Sequence, residues 1–235
     1  MRPEGGSLGL VMASNPLQGV AGVPESALAD ADAARLPHES APAPWATVLD
    51  AVVWYHRAAP GAEHRLPSAL RGSRTIPLTV GALISYRETP VGPYKEVLGS
   101  PVLLSERPLP AAAIPFIAVD STASVHGGRA NWALPKALAR FDWPESMRGG
   151  FEIDAEGDGW SVHATVHSRP RGFPVAGPLR TRQGPIAFTT RARGRARLAT
   201  VELETRGTTL PGWLRSGRHS ALVLEGARAD VGAAA

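Results

Sequence analysis

Cysteine is absent from this chain of 235 residues. Disulfides, zinc–thiolate sites, iron–sulfur clusters and cysteine nucleophiles are therefore excluded. No apolar run approaches the 18 residues of a membrane-spanning helix, so no membrane partner is expected. Met1-Arg2-Pro3-Glu4-Gly5-Gly6 lacks a basic stretch leading into a long apolar one, so the expected location is cytoplasmic. Lysine is nearly missing: Lys95 and Lys136 stand against 23 arginines. The formal net charge of +4 is thus an arginine effect. Arginine cannot give up its proton and attack a carbonyl, whereas lysine with a lowered pKa can.

What is present is β-like. The 25 glycines and 22 prolines argue against a helical bundle, and 43% hydrophobic residues argue against a disordered chain. Residues 1–41 hold no Phe, Trp or Tyr and read as a flexible or loosely docked extension. Within it a short helix is expected over 24–36, capped by Ser26 and ended by Pro37. From residue 42 onward a single domain is expected. Extended runs are predicted at 48–56, 75–88, 94–98, 102–104 and 113–119. Phe151, Ile153 and Ala155, then Trp160, Val162, Ala164 and Val166, alternate with polar residues around Glu156-Gly157-Asp158-Gly159, the pattern of a hairpin. A second hairpin is expected to turn near Gly194, and 220–225 gives a last strand. About ten short strands predict a mainly β fold, a closed antiparallel barrel or two packed sheets, with few short helices. A barrel of that size can hold a ligand cavity.

The segment from Val125 to Trp143 carries the chemistry. Lys136 lies between Leu134-Pro135 and Ala137-Leu138, close to Trp132, Phe141 and Trp143. Apolar surroundings favour a neutral amine, which forms imines with ketones. The plainer reading of Lys136 is a solvated ammonium with its stem over apolar neighbours.

Gly128-Arg129-x-x-Trp132-x-x-Pro135-Lys136 resembles the Gly-Arg-Glu…Pro-Lys segment of the acetoacetate decarboxylase superfamily. Upstream, Gly92-Pro93-Tyr94-Lys95-Glu96 resembles its Tyr-x-Glu segment. The likeness spans roughly residues 44–228. It implies a mainly antiparallel β-barrel or cone and a homo-oligomer. It implies a Schiff base on Lys136, proton shuttling or orientation by Glu96, and neither metal nor organic cofactor. Tyr94, His126, Arg129 and Trp132 are the implied substrate-binding residues. The implied reaction is that of a lyase: decarboxylation of a small keto acid through an imine and an enamine. Three positions depart from the decarboxylase pattern: Ala130, Ala137 and Gly81 stand where those enzymes carry Glu, Lys and an acidic residue. They fit an aldolase or dehydratase acting on 2-oxo acids, and a non-catalytic binding barrel is the further alternative.

Other groups read less sharply. Arg129 in a Gly-Gly-Arg turn reads as a brace for backbone carbonyls, and His126 beside two glycines as a loop residue. His163 and His167 share a strand face without a third ligand in view. Arg191, Arg193, Arg195 and Arg197 alternate along an extended segment, which a turn at Gly194 would split. They read as a solvated rim, and no nucleic-acid partner is expected.

Overall fold

The computed structural model describes residues 17–235. Its helical pieces begin with a 3₁₀ turn, Pro24–Ser26, and one α-turn, α1 (Asp30–Ala33). The strands follow as β1 (Trp45–Arg57), β2 (Thr75–Ile76), β3 (Leu78–Glu88), β4 (Tyr94–Ser100), β5 (Leu103–Leu104), β6 (Ala111–Ala112) and β7 (Phe116–Val119). A helix, α2 (Thr122–Trp132), leads to β8 (Lys136–Leu138), β9 (Arg140–Asp142), β10 (Gly150–Gly157), β11 (Trp160–Gln183), β12 (Ile186–Arg206) and β13 (Gly217–Val231).

The ladder runs β2-β5-β6-β11-β12-β13-β1-β3-β4-β7-β8, with β10 branching from β11 and β9 pairing with β10. This path is open, and the pairs β7–β8 and β6–β11 are parallel. The closed, antiparallel barrel expected from the strand count is thus corrected to an open, mixed sheet. The sheet still wraps around a core. Phe116 of β7 and Trp160 of β11, six ladder steps apart, meet edge to face with ring centroids 5.0 Å apart. Val52, Leu83, Val97, Ile153, Val162, Val201 and Val223 fill the same apolar cluster. A second cluster, with Trp45, Tyr94, Ile117, Val119, Val125 and Trp132, holds the residues under α2.

The hairpin predicted from alternation is present. Phe151, Ile153, Ala155, Val162, Ala164 and Val166 are buried, and Gly157 pairs with Trp160 across the turn. The turn expected at Gly194 is absent. Residues 186–206 form one strand, and the chain reverses instead at Gly184-Pro185, between β11 and β12. At Gly194 the register against β13 shifts between Arg193 and Ala196. A Cβ there would lie 2.9 Å from Ala227 Cβ, so the glycine allows a close strand approach. Arg191, Arg193, Arg195 and Arg197 therefore form an unbroken row, opposite Pro178, Ala176, Pro174 and Gly172 of β11. That part of β11, with Pro174 and Pro178, pairs with β12 on one side, while Pro170 falls in the register shift between Ser168 and Gly172; no described strand pairs its other side between β10 and β6.

Of the two readings given for the N-terminal extension, flexible or loosely docked, the described part, 17–41, is docked. Val23 and Leu28 are buried, and the Val23 N–H donates to Pro115 O at 2.9 Å. The buried Glu25 carboxylate accepts from Thr209 N, from Thr209 Oγ1 at 2.7 Å and from Leu210 N at 3.2 Å. Burial raises the Glu25 pKa, but these hydrogen bonds outweigh it and hold the group below its ordinary value. Ser26 does not cap a helix. Its hydroxyl accepts from Ile117 N at 3.0 Å, and the expected helix over 24–36 shrinks to the two short turns. Residues 1–16 of the expected extension lie outside the described residues.

Candidate active site

Strand register explains how two residues forty positions apart meet. Glu96 of β4 pairs with Val119 of β7, and Val119 with Leu138 of β8. In the next row Leu98 pairs with Ile117, and Ile117 with Lys136. Alternation puts Tyr94, Glu96 and Lys136 on one face. Lys136 then has to cross two strand spacings, roughly 10 Å, which its long stem and a diagonal path allow. Tyr86, opposite Tyr94 in the β3–β4 pair, joins the same face.

Helix α2 forms the roof. Ser121 caps it, its hydroxyl accepting from Ser124 N at 3.2 Å. Ala133 ends it in the left-handed region at φ 50°, and Pro135 follows. The region read as a loop is thus helical. Its two glycines are there for approach: a Cβ on Gly127 would lie 2.5 Å from the Trp45 ring, and one on Gly128 2.5 Å from Lys136 Cδ. Ser124 lies four residues before Gly128 and so on the same helix face, above the Lys136 stem.

The Lys136 ammonium has three hydrogens and three acceptors. Nζ lies 2.7 Å from Glu96 Oε2, 2.9 Å from Ser124 Oγ and 3.4 Å from Tyr94 Oη. It also sits 5.0 Å from the Tyr94 ring centroid, a cation–π distance. Tyr86 Oη donates to Glu96 Oε1 at 3.4 Å, and the Tyr86 and Tyr94 rings pack 4.5 Å apart. Lys136 and Glu96 are each only 3% exposed. Burial pushes the Lys136 pKa down, but the Glu96 charge and the hydrogen bonds push it further up, so the net shift is upward. The neutral amine expected from the apolar sequence context is corrected: the nitrogen is dry, and it is held charged. Burial raises both tyrosine pKa values, that of Tyr86 the more, with the Glu96 charge adding to the shift, so both hydroxyls keep their protons.

The expected site residues divide. Lys136, Glu96 and Tyr94 converge. Arg129 donates to three backbone carbonyls: Nε to Lys136 at 2.7 Å, and the terminal nitrogens to Leu17 at 2.6 Å and Ser26 at 3.0 Å. Burial pushes its pKa down to about 10. Its contacts are those of a brace under the Lys136 main chain, not of a substrate ligand. His126 Nδ1 bonds Pro37 O at 2.7 Å, tying α2 to the extension. Trp132 packs edge to face on Trp45, with centroids 4.9 Å apart, and donates to Gly232 O at 2.7 Å. Neither side chain bonds to Lys136 or Glu96. Ser124 and Tyr86 were missed. Ser124 was detectable only once α2 was known to be a helix, and Tyr86 only once the β3–β4 register was known.

The fold is that of the acetoacetate decarboxylase-like enzymes. An acetoacetate decarboxylase-like enzyme from Sphingomonas wittichii RW1 superposes with a TM-score of 0.59 at 13% identity, covering 83% of this chain and 92% of its own. An acetoacetate decarboxylase gives 0.58 at 12% identity, over 88% of this chain and 97% of its own. The enduracididine biosynthesis enzyme MppR gives 0.57 at 14% identity, over 83% and 88%. No family model matches the sequence, and no curated protein matches it.

Proposed function

We propose that this chain is a Schiff-base lyase in which Lys136 forms an imine with a small keto acid. The observation that carries the reading is a buried lysine ammonium 2.7 Å from a buried carboxylate, roofed by a helix that has glycine where the stem passes. Lys136 Nζ gives one proton to Glu96. The freed lone pair attacks the carbonyl carbon, and the carbonyl oxygen takes a proton from Glu96 to give a carbinolamine. Glu96 moves a second proton from the nitrogen to the carbinolamine hydroxyl, water leaves, and a protonated imine remains facing the Glu96 carboxylate. That cation accepts the electron pair when a neighbouring C–C bond breaks, whether a β-keto acid loses CO2 or a retro-aldol step releases a carbonyl. The enamine is protonated and hydrolysed. Ser124 and Tyr94 orient the amine, and Tyr86 orients Glu96. The fold supports the reading. One structure of MppR holds the condensation product of pyruvate and imidazole 4-carboxaldehyde. No cofactor enters the scheme, and a homo-oligomer acting in the cytoplasm is part of the proposal.

The charged state of Lys136 also favours a second reading, a purely structural ion pair in a non-catalytic binding protein of this fold. Imine trapping separates the two. The protein is incubated with acetoacetate, pyruvate, acetone or acetaldehyde, reduced with borohydride, and weighed intact and as peptides. A reduced adduct on Lys136, absent from Lys136→Met, supports the lyase. A folded protein that forms no adduct with any of them supports the structural pair.

A further inference from the structure

A second charged site stands where β10, β11 and β12 meet, apart from the β4 and β8 residues that form the first. Ser168 pairs with Ala199 and Gly172 with Arg197, so residues 169–171 of β11 stand opposite Leu198 alone. Pairing of β11 with β10 ends at His167, and beyond it the Ser168 N–H donates to Gly149 O at 2.9 Å. Pro170 has no N–H with which to rejoin either neighbour. The strand therefore bulges, and a bulge re-aims the side chains around it. Here it opens a cleft of about 350 Å³ lined by Arg148, Gly149, Ser168, Arg169, Pro170 and Arg197.

The lining is basic and holds no carboxylate. Arg197 is its fixed member: only 14% exposed, it pairs with Glu225 and donates to Met147 O at 2.8 Å. The Glu225 carboxyl is held below its ordinary value first by that Arg197 bond, and the Arg148 charge adds to the effect. The guanidiniums of Arg148 and Arg169 make no hydrogen bond or ion pair among the described residues. Three positive charges thus meet one negative charge, and two stay uncompensated. Ser168 Oγ reaches Met147 O and Gly149 O only at 3.4 Å, so its hydroxyl can turn to a better acceptor.

We infer that this cleft binds a small phosphate dianion, free or as the head of a small monoester. The dianion cancels the two uncompensated charges. The arginines come from the loop before β10, from the β11 bulge and from β12, which are neighbours in the sheet. Donors from both sides and the middle suit the oxygens of a tetrahedral group better than the coplanar pair of a carboxylate. The volume lies near the lower end for ligand pockets, with room for the head and a few carbons.

Isothermal titration of the whole chain at pH 8 and physiological salt tests this with inorganic phosphate, glycerol phosphate, succinate and a short DNA duplex. One saturable site with a dissociation constant below about 1 mM is expected for a phosphate probe. Tighter glycerol phosphate marks an esterified ligand, and equal affinity marks the free ion. Arg148→Ala and Arg169→Ala should each weaken binding about tenfold, through loss of a charge-assisted hydrogen bond. Both side chains are exposed, so both variants should fold. Arg206→Ala, at the far end of β12, should bind as the wild type does. Equal weakening in Arg206→Ala would reduce the effect to net charge and overturn the site. Unchanged affinity in both Arg148→Ala and Arg169→Ala would overturn it too. So would the lack of saturable phosphate binding, succinate bound as tightly as phosphate, or DNA bound where phosphate is not. None of these results bears on the imine at Lys136.

Discussion

Lys136 Nζ and Glu96 Oε2 stand 2.7 Å apart with both side chains 3% exposed, so each charge depends on the other for its counter-ion. Taking two ions out of water is costly, and the attraction between them offsets that cost only while both are present. The arrangement has a thermodynamic signature that does not depend on catalysis.

Removing one partner should destabilise the fold strongly. Lys136→Met leaves the Glu96 carboxylate buried alone, and about 3–5 kcal/mol is expected to be lost. The double variant Lys136→Met/Glu96→Leu should recover most of it. Urea unfolding of the two single variants and the double gives the coupling. Additive losses would show that the pair is not the unit of stability.

The pH dependence follows from the upward shift of Lys136. A lysine whose pKa is higher folded than unfolded contributes stability that is complete below its ordinary value of 10.5 and is lost as pH rises through the folded value. The gap between wild type and Lys136→Met should therefore be constant from pH 7 to 9 and narrow above about pH 10.5. Because Lys136 passes its proton to Glu96 inside the site, the trapping rate should stay flat from pH 7 to 9. In Glu96→Gln, where the proton must leave to solvent, the rate should climb with pH instead. Thermal unfolding and stopped trapping reactions across this range measure both.

The two helix glycines should respond differently to alanine. Gly→Ala inside a helix ordinarily gains about 1 kcal/mol. Gly127→Ala drives a Cβ to 2.5 Å from the rigid Trp45 ring, and a loss of about 1–3 kcal/mol is expected instead. Gly128→Ala meets the more pliable Lys136 stem, so stability should fall less while Lys136 is pushed off its three acceptors. Denaturation midpoints should rank Gly127→Ala as the less stable. Trapping should rank Gly128→Ala as the slower.

Glu25 is the fastening of residues 17–41. Glu25→Ala strands Thr209 N and Leu210 N, and a loss of about 1–3 kcal/mol is expected. Early proteolytic cleavage before residue 41 should accompany it. Because the folded Glu25 pKa lies below its ordinary value, its contribution is present above about pH 4.5 and fades as pH falls through the folded value. Limited proteolysis at pH 7 and acid unfolding of wild type and variant test this.

Legibility from sequence followed how local the physics was. The β10–β11 hairpin was readable because one wet and one dry face leave a period of two in the sequence. Lys136 and Glu96 were readable because lysine is so rare here and their flanking residues resemble a known pattern. Gly194 was misread because a glycine that admits a neighbouring strand looks the same as one that turns the chain. Gly127 and Gly128 hid α2 in the same way: helix propensity counts them as breakers, while Trp45 and the Lys136 stem require them. The state of Lys136 was misjudged because burial was foreseeable and the distance to its carboxylate was not. That distance depends on two strand registers, β4–β7 and β7–β8, neither of which is local.

The prolines of β11 have a bearing on how this molecule meets its neighbours. Pro174 and Pro178 stand four residues apart along a stretch paired only on its β12 side, and Pro170 precedes them in a register shift. A proline offers no N–H, so its place in a paired strand is where that group would point outward. The outward side of this long margin is thereby stripped of donors at these positions, and a visiting chain cannot zip onto it as one more strand. Runaway main-chain stacking along this margin is thereby disfavoured.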